Sequence, residues 1–254
     1  MEIKKDIEVL GLKWCNYRKE RGIYVIWSKD SVLSRILIAL GAPIGKKPLQ
    51  STPLPKWILY APKFIKKEFI AAYFGSDMTK PGVHVKNPRD IRVLCVVMYK
   101  HKRVKNGDLF LKQIKKCLKE FNVNSVVKLA GKKGNKLIYQ LSIKNSRENL
   151  INFFKNIGYR YCKYKEELAR KSLAYLLVRK MLIRNREEKL RIAKNLYKKG
   201  FKYSEIAKKI GISRHTIKNW LYYKKGEKEK HVSVNELPKF IDFNILIPES
   251  LVPD

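Results

Sequence analysis

Apolar and polar positions change period several times along this chain. From Tyr24 to Ser31 they alternate, which predicts a half-buried strand, and from Val32 to Leu40 they recur at helical spacing. The same succession returns at Tyr139–Ser146 and Asn149–Ile157. Each predicted helix stops at a glycine, Gly41 or Gly158, and a lysine-bearing segment follows, ending at Lys46 or Lys163. A turn-rich stretch precedes each strand, Arg18–Gly22 and Gly131–Asn135, and predicts a hairpin. The shared order predicts a tandem αβ duplication with an offset of 115–117 residues (Tyr24 to Tyr139, Gly41 to Gly158).

The second copy reads in full. Its periodicities predict a helix over Lys63–Asp77, strands around Val83–Val85 and Ile91–Tyr99, a helix over Asp108–Phe121, then the hairpin, closing strand and final helix. At the same offset the first copy's counterpart of the Lys63–Asp77 helix falls before Met1, so the first unit reads as partial. Gly45–Pro62, with several prolines, reads as an exposed linker. The expected organisation is a partial unit over 1–48, a linker over 49–62, a complete unit over 63–183, a helical domain over 184–225 and an arm over 226–254. The arm begins charged and turns apolar from Phe240 to Leu251.

Two segments carry candidate chemistry. In the Lys63–Asp77 helix, bulky Phe69, Ile70, Tyr73 and Phe74 alternate with small Ala71, Ala72, Gly75 and Ser76. Two faces are expected, one for a core and one that lets another helix approach closely. Asp77 closes this helix, where the macrodipole disfavours an anion unless a cation stands nearby. Further on, helices are predicted over Glu187–Lys199, Tyr203–Ile210 and Arg214–Tyr222. Gly211 supplies the tight turn, Ser213 caps the last helix, and Ile206, Ile210, Ile212, Ile217 and Trp220 fall at core spacing. The segment Glu205–Leu221 resembles the helix-turn-helix of resolvases and many regulators. Its last helix offers Arg214, His215, Thr216, Lys218 and Asn219, residue types that reach base edges and phosphates in a major groove.

Charge strengthens the nucleic-acid reading. The 254 residues carry 57 Lys+Arg against 22 Asp+Glu, a formal net charge of +35 spread along the whole chain. Thermophile surfaces balance lysine with glutamate; an unbalanced excess points to a polyanionic partner and predicts steep salt dependence. No apolar run reaches the length of a membrane span, and the N-terminus is not a signal peptide. Cys15, Cys95, Cys117 and Cys162 share no metal-binding spacing, which points to a reduced, cytoplasmic protein without a zinc site. Gly41-Ala-Pro-Ile-Gly-Lys-Lys47 is one residue short of a phosphate loop, and Lys47 stands where Ser or Thr would bind Mg²⁺.

Phe69-Ile-Ala-Ala-Tyr-Phe-Gly-Ser-Asp77-Met78 resembles the LAGLIDADG motif in its common archaeal form. Leu40–Lys47, Leu54–Ile58 and Ile157–Tyr161 resemble the surroundings of that motif in homing endonucleases of the archaeal intein (DOD) type, so the resemblance covers roughly residues 1–183. It implies an α+β fold: an αββαββα saddle, complete in its second unit and partial in its first, followed by an all-α helix-turn-helix domain. The resemblance further implies that double-stranded DNA lies on the saddle sheets. Asp77 would then be a catalytic, Mg²⁺-binding carboxylate, with Lys46, Lys163 and Lys165 near the scissile phosphate. Mg²⁺ normally takes one or two carboxylates, so a second acidic motif is expected from a homodimer or from a separately encoded half. Met78, where the family has glycine, is expected to crowd the metal–phosphate region.

Three function classes follow. The first is a homing-endonuclease-like DNA-binding protein that cleaves both strands if the second motif is supplied, or a decayed or split nuclease that only binds. Splicing is not expected, because the terminal Val-Pro-Asp lacks the His-Asn junction. The alternative is a non-catalytic LAGLIDADG and helix-turn-helix transcription regulator. An RNA maturase is the third, and the helix-turn-helix argues against it.

Overall fold

The computed structural model describes residues 2–11, 16–20, 23–27, 31–82 and 90–222. Two compact units divide between Ser172 and Leu173.

In the first unit, α1 (Glu2–Val9) precedes an antiparallel hairpin, β1 (Asn16–Glu20) and β2 (Ile23–Trp27), paired from Asn16↔Trp27 to Glu20↔Ile23. Helix α2 (Ser31–Ala39) follows and ends at Gly41, whose φ of 97° suits a residue without a side chain. The expected strand, helix and glycine of the first copy are thus present, whereas α1 had no counterpart in the periodicity.

The second copy holds the core. Helix α4 (Lys63–Asp77) is followed by β3 (Cys95–His101), α5 (Leu109–Glu120), β4 (Ser125–Lys133), β5 (Lys136–Ile143) and α6 (Arg147–Asn156). The three strands form an antiparallel sheet in the order β3-β5-β4, with an irregularity in β4 between Leu129 and Gly131. Ile114 and Leu118 of α5 and Leu150 and Phe153 of α6 are buried, each pair at a three- or four-residue spacing. The Phe74 and Phe153 rings lie 5.9 Å apart and join α4 to α6. Buried Asn149 ties α6 to the start of β4: its amide oxygen accepts the Asn124 N–H at 2.6 Å, and its NH2 donates to the Asn124 and Lys144 carbonyls.

Several expectations need correction. The strand expected over Ile91–Tyr99 runs instead over Cys95–His101, although Ile91 and Leu94 are buried just before it. The strand expected at Val83–Val85 lies outside the described residues. The stretch read as an exposed linker is docked: it contains α3 (Lys56–Leu59), and Leu54 and Ile58 are 1% and 0% exposed. The Leu54 N–H donates to Gln113 Oε1 at 2.6 Å, and buried Lys100 donates from Nζ to the carbonyls of Lys47 and Gln50 at 2.8 and 2.6 Å. Proline-rich composition describes the local backbone, but two large apolar side chains decide where it goes.

The bulky and small residues of α4 do not separate into two faces either. Ile70 and Phe74 are buried together with Ala71 and Gly75, while Phe69, Ala72 and Tyr73 are half-buried and Ser76 is exposed. After Asp77 the chain turns extended, and buried Met78 bridges to Val96 of β3.

Helix α7 (Lys163–Lys198) is 36 residues long and contains no glycine or proline. It therefore runs without a break past 183/184, and the helix expected from Glu187 is its C-terminal part. Helices α8 (Tyr203–Ile210) and α9 (Arg214–Leu221) complete the second unit. Its core is Leu190, Ala193, Ile206, Ile217 and Trp220, with Ile210 and Ile212 partly buried around it. The expected arm over 226–254 lies outside the described residues. No helix among the described residues is long and apolar enough to cross a membrane.

Candidate nucleic-acid interface

The helix-turn-helix is built by local rules. The Lys202 N–H donates to Glu205 Oε2 at 2.8 Å, one half of a capping box at the start of α8. Gly211 ends α8 in the left-handed region (φ 63°) and turns the chain toward α9. Ser213 Oγ then accepts the Thr216 N–H at 3.2 Å, which satisfies one of the orphan donors of α9. Thr216 Oγ1 is itself 2.8 Å from Ser213 Oγ, so both hydroxyls are engaged at the helix start. Burial of Ile217 and Trp220 fixes which face of α9 turns inward. Arg214, His215 and Lys218 are left exposed, and Asn219 half-exposed. The predicted reading residues therefore lie on the face of α9 turned away from Ile217 and Trp220, while Ser213 and Thr216 hold the helix end in shape.

The second candidate is the C-terminal end of α4. Lys165, at the start of α7, donates from Nζ to the carbonyls of Gly75 and Met78 at 2.7 Å each, with the Ser76 and Phe74 carbonyls at 3.3 and 3.5 Å. It is the cation that the macrodipole demands, and it brings positive charge beside Asp77. Burial pushes the Lys165 pKa down, and the charges of Cys162 and Asp77 oppose that shift. Asp77 itself is exposed. Of the three lysines expected near it, Lys165 is brought to this helix end, and its donors are spent on main-chain oxygens. Lys163 is exposed at the first position of α7, and Lys46 is exposed at the start of the 3-10 turn Lys47–Leu49.

Small residues on α4 serve a contact within the unit. A side-chain carbon at Gly75 would stand 1.8 Å from the Arg160 carbonyl oxygen, and the Arg160 N–H donates to the Ala71 carbonyl at 3.0 Å. The crossing segment is shaped by two left-handed residues, Gly158 (φ 65°) and Tyr161 (φ 63°). Ala71 and Gly75 are thus occupied by main chain and are not open to a second helix, which corrects the expected interface. Ala72 and Ser76 remain beside them, half-buried and exposed. Met78 does not crowd Asp77 as expected, because its side chain lies in the core at 2% exposure.

A Mg²⁺ site does not follow from these residues alone. One carboxylate stands beside an ammonium, and the nearest carbonyls already accept from that ammonium. Among the described residues no group of three His, Cys, Asp or Glu converges. Asp77 offers one carboxylate, and Mg²⁺ there would draw its remaining oxygens from substrate phosphate, water or a second carboxylate.

The sequence reading named no residue of the outward sheet surface. Pairing of β3, β4 and β5 places Val97, Gln140 and Lys128 in one cross-strand row on the face away from the core. Tyr99, His101 and Lys136 project from the same face; Val97 and Tyr99 are 43% and 44% exposed. Polar positions alternating with buried Val96 and Lys100 on β3, and with Leu141 and Ile143 on β5, were the available signal.

A family model described as a homeodomain-like domain matches residues 184–222. Among curated proteins, the chain is similar to the DNA-directed RNA polymerase subunit Rpo1N of Methanocaldococcus jannaschii, 38% identical over 159 residues, 61% of this chain and 12% of that protein. The replication factor C small subunit of the same organism is 32% identical over 191 residues, 70% of this chain and 10% of that protein. The tRNA-splicing ligase RtcB of Pyrococcus furiosus is 27% identical over 262 residues, 93% of this chain and 26% of that protein. The chain spans between about a tenth and a quarter of the length of these relatives. No solved structure matches. The chain therefore contains a helix-turn-helix domain of the homeodomain-like class, and that domain supports DNA binding.

Proposed function

We propose that this chain is a double-stranded-DNA-binding protein of homing-endonuclease descent. The observation that carries the proposal is the capped α9 helix, on which Arg214, His215 and Lys218 stand exposed together within a domain matched to the homeodomain-like class. The net charge of +35 adds a sequence-independent attraction to phosphate. Descent is supported by the company the sequence keeps. A polymerase subunit, a replication factor and a tRNA-splicing ligase have no reaction in common, yet each shares with this chain a segment that is a small part of its own length. A mobile genetic insert accounts for that distribution better than a shared catalytic domain does. The match of α4 and its Asp77 to the LAGLIDADG pattern agrees with it.

In this reading the helix-turn-helix reads bases, and the outward face of the β3-β5-β4 sheet carries a second stretch of duplex. Cleavage of both strands requires a second carboxylate opposite Asp77, contributed by another polypeptide segment. A single carboxylate beside Lys165, whose ammonium closes the carbonyl end of α4, favours one competing reading, a regulator that binds DNA without cutting it.

The test begins with selection of preferred duplexes from a random pool, using the full chain, followed by binding titrations. Arg214→Ala is expected to weaken the selected duplex about tenfold or more, the equivalent of about 1–3 kcal/mol, and random duplex much less. Equal weakening of both would remove the base-reading role from α9. Incubation of the selected duplex in supercoiled plasmid with Mg²⁺ then separates the readings. Nicking lost in Asp77→Asn supports nuclease descent with retained chemistry, and binding without nicking supports the regulator.

A further inference from the structure

Between Asp30 and Glu68 the chain carries seven basic residues and no acidic one. Within that stretch stand three aromatic side chains that the fold leaves open. Trp57 on α3, Tyr60 at its end and Phe64 in the first turn of α4 are 46%, 84% and 68% exposed. Their neighbours Ile58, Ile70 and Phe74 are buried, so the backbone that carries the rings is anchored from beneath. Trp57 is held further, its indole N–H donating to the Leu40 carbonyl at 2.8 Å. That bond engages the edge of the ring and not its faces. Lys56 and Lys63, adjacent in sequence to Trp57 and Phe64, are exposed. Lys66, by contrast, is spent on the Glu120 carboxylate at 2.8 and 2.9 Å.

Rings standing in water among ammonium groups fit an unpaired strand of nucleic acid, whose bases have free faces and whose phosphates are anionic. Duplex does not fit the rings, because its base faces are already stacked on one another. A protein partner fits poorly, since lysine is depleted from the apolar centre of protein interfaces. A membrane surface is met by an amphipathic helix with a long apolar face; α3 has four residues, and in α4 Ile70 and Phe74 are turned into the core. We propose that Trp57, Tyr60 and Phe64, with Lys56 and Lys63, form a binding surface for single-stranded DNA. The rings stack on bases, and the lysines meet phosphates. The choice of DNA over RNA rests on the DNA reading of the homeodomain-like domain. The site itself lies on elements other than α9 and the β3-β5-β4 sheet and stands independently of both.

Titration of the full chain with labelled oligothymidylate, and with an abasic strand of the same length, tests it at raised salt, where the phosphate contribution fades. Oligothymidylate is expected to bind about tenfold or more tighter than the abasic strand. Trp57→Ala, Tyr60→Ala and Phe64→Ala are each expected to weaken oligothymidylate about fivefold or more and to leave the abasic strand within about twofold. Trp57→Phe keeps a ring while losing the bond to Leu40, and is expected to recover most of the affinity. Binding of the selected duplex is expected to be unchanged in these variants, which shows that they fold; Arg214→Ala is expected to give the reverse pattern and bears on α9 alone. Equal binding of oligothymidylate and the abasic strand overturns the proposal, since the surface would then hold phosphate only. Oligothymidylate binding indifferent to all three ring variants overturns it too. An equal fall in single-strand and duplex binding does the same, because the rings would then support the fold and not a ligand. Tighter binding of oligouridylate than of oligothymidylate assigns the surface to RNA and overturns the proposed strand. Loss of binding to phosphatidylserine vesicles in Trp57→Ala, with oligothymidylate unaffected, assigns the rings to a membrane and overturns it as well.

Discussion

Helices α2 and α6 occupy the same place in two copies of one repeat, yet only α6 sits in a finished core. Both follow a hairpin and both end at a left-handed glycine, so strand, turn and cap chemistry are local enough to survive in either copy. The difference lies in what reaches the apolar face from far along the chain. Around α6, Phe74 comes from about 80 residues upstream and Asn149 holds the carbonyl and N–H of Asn124 (153 − 74 = 79). At the end of α2 the Trp57 indole N–H donates to the Leu40 carbonyl. Secondary structure in this protein thus depends on neighbours in sequence, while burial depends on elements that arrive from far along the chain.

The sharpest way to break that comparison is to truncate the matched residues. Phe153→Ala is expected to cost about 3–5 kcal/mol, the range for a fully buried aromatic, whereas Ile36→Ala is expected to stay within about 0.5 kcal/mol, as exposed sites do. Urea titrations that follow α6 exchange would measure both. A loss at Ile36 comparable to that at Phe153 would mean that α2 is already buried.

Next in size is Gly75→Ala. The added carbon would meet the Arg160 carbonyl oxygen at 1.8 Å, and the segment carrying it is held by left-handed Gly158 and Tyr161, so neither side yields easily. A cost of about 1–3 kcal/mol or more is expected from such overpacking. Ala72→Ser, on the half-buried side of the same helix, is the control and is expected to fall below about 1 kcal/mol. Equal effects would undo the claim that main chain occupies the small face.

These contrasts also show what was legible before the fold was known. The helix-turn-helix was readable almost to the residue, because Gly211, Ser213 and the Ile206–Ile217–Trp220 spacing act within about 15 residues of one another (220 − 206 = 14). The repeat was readable for the same reason. Docking of residues 47–58 was not, since composition reports proline and polarity while the outcome is set by Leu54, Ile58 and a lysine about 50 residues away (100 − 50 = 50). Nor could a sequence show that Met78 points inward or that Lys165 spends its donors on carbonyls, because backbone acceptors carry no residue signature. Continuity of α7 through 183/184 was legible in principle, as nothing in 163–198 breaks a helix.

Lys165 and Lys163 offer a smaller contrast between two lysines that looked alike in the sequence. Lys165→Met removes charge-assisted bonds to the Gly75 and Met78 carbonyls, and a loss of about 1.5–3 kcal/mol is expected. Lys163→Met is expected to change stability by less than about 0.5 kcal/mol. Differential scanning calorimetry of the two variants would separate a lysine that closes α4 from one that decorates α7. Any weakening of DNA binding by Lys163→Met should shrink as salt is raised, since an exposed lysine acts through phosphate.

The smallest effect is alkaline pH dependence, and it too should belong to the complete copy. Burial holds the Tyr159 phenol above its ordinary value, and burial followed by the charge of Asp77 does the same to Tyr73. In the unfolded chain these phenols ionise near pH 10, so the stability they confer is complete below about that pH and is lost as pH rises toward their folded values. Lys100 and Lys165 have the opposite sign. Burial lowers both, with Lys47 adding to the shift at Lys100 and with Cys162 and Asp77 opposing it at Lys165. Their contribution is present above the unfolded lysine value of about 10.4 and is lost as pH falls through the depressed folded value. Stability of the core around α6 should therefore rise toward pH 10 and fall beyond it. Lys100→Met should flatten the rising limb, and Tyr159→Phe the falling one after allowance for its lost bond to the Thr79 carbonyl. Opening of α2, where Arg35 is the lone ionisable residue of the helix, should not follow that profile. If α2 and α6 exchange shared one alkaline profile, the two copies would be opening as a single unit, and the contrast between them would be one of surface rather than of stability.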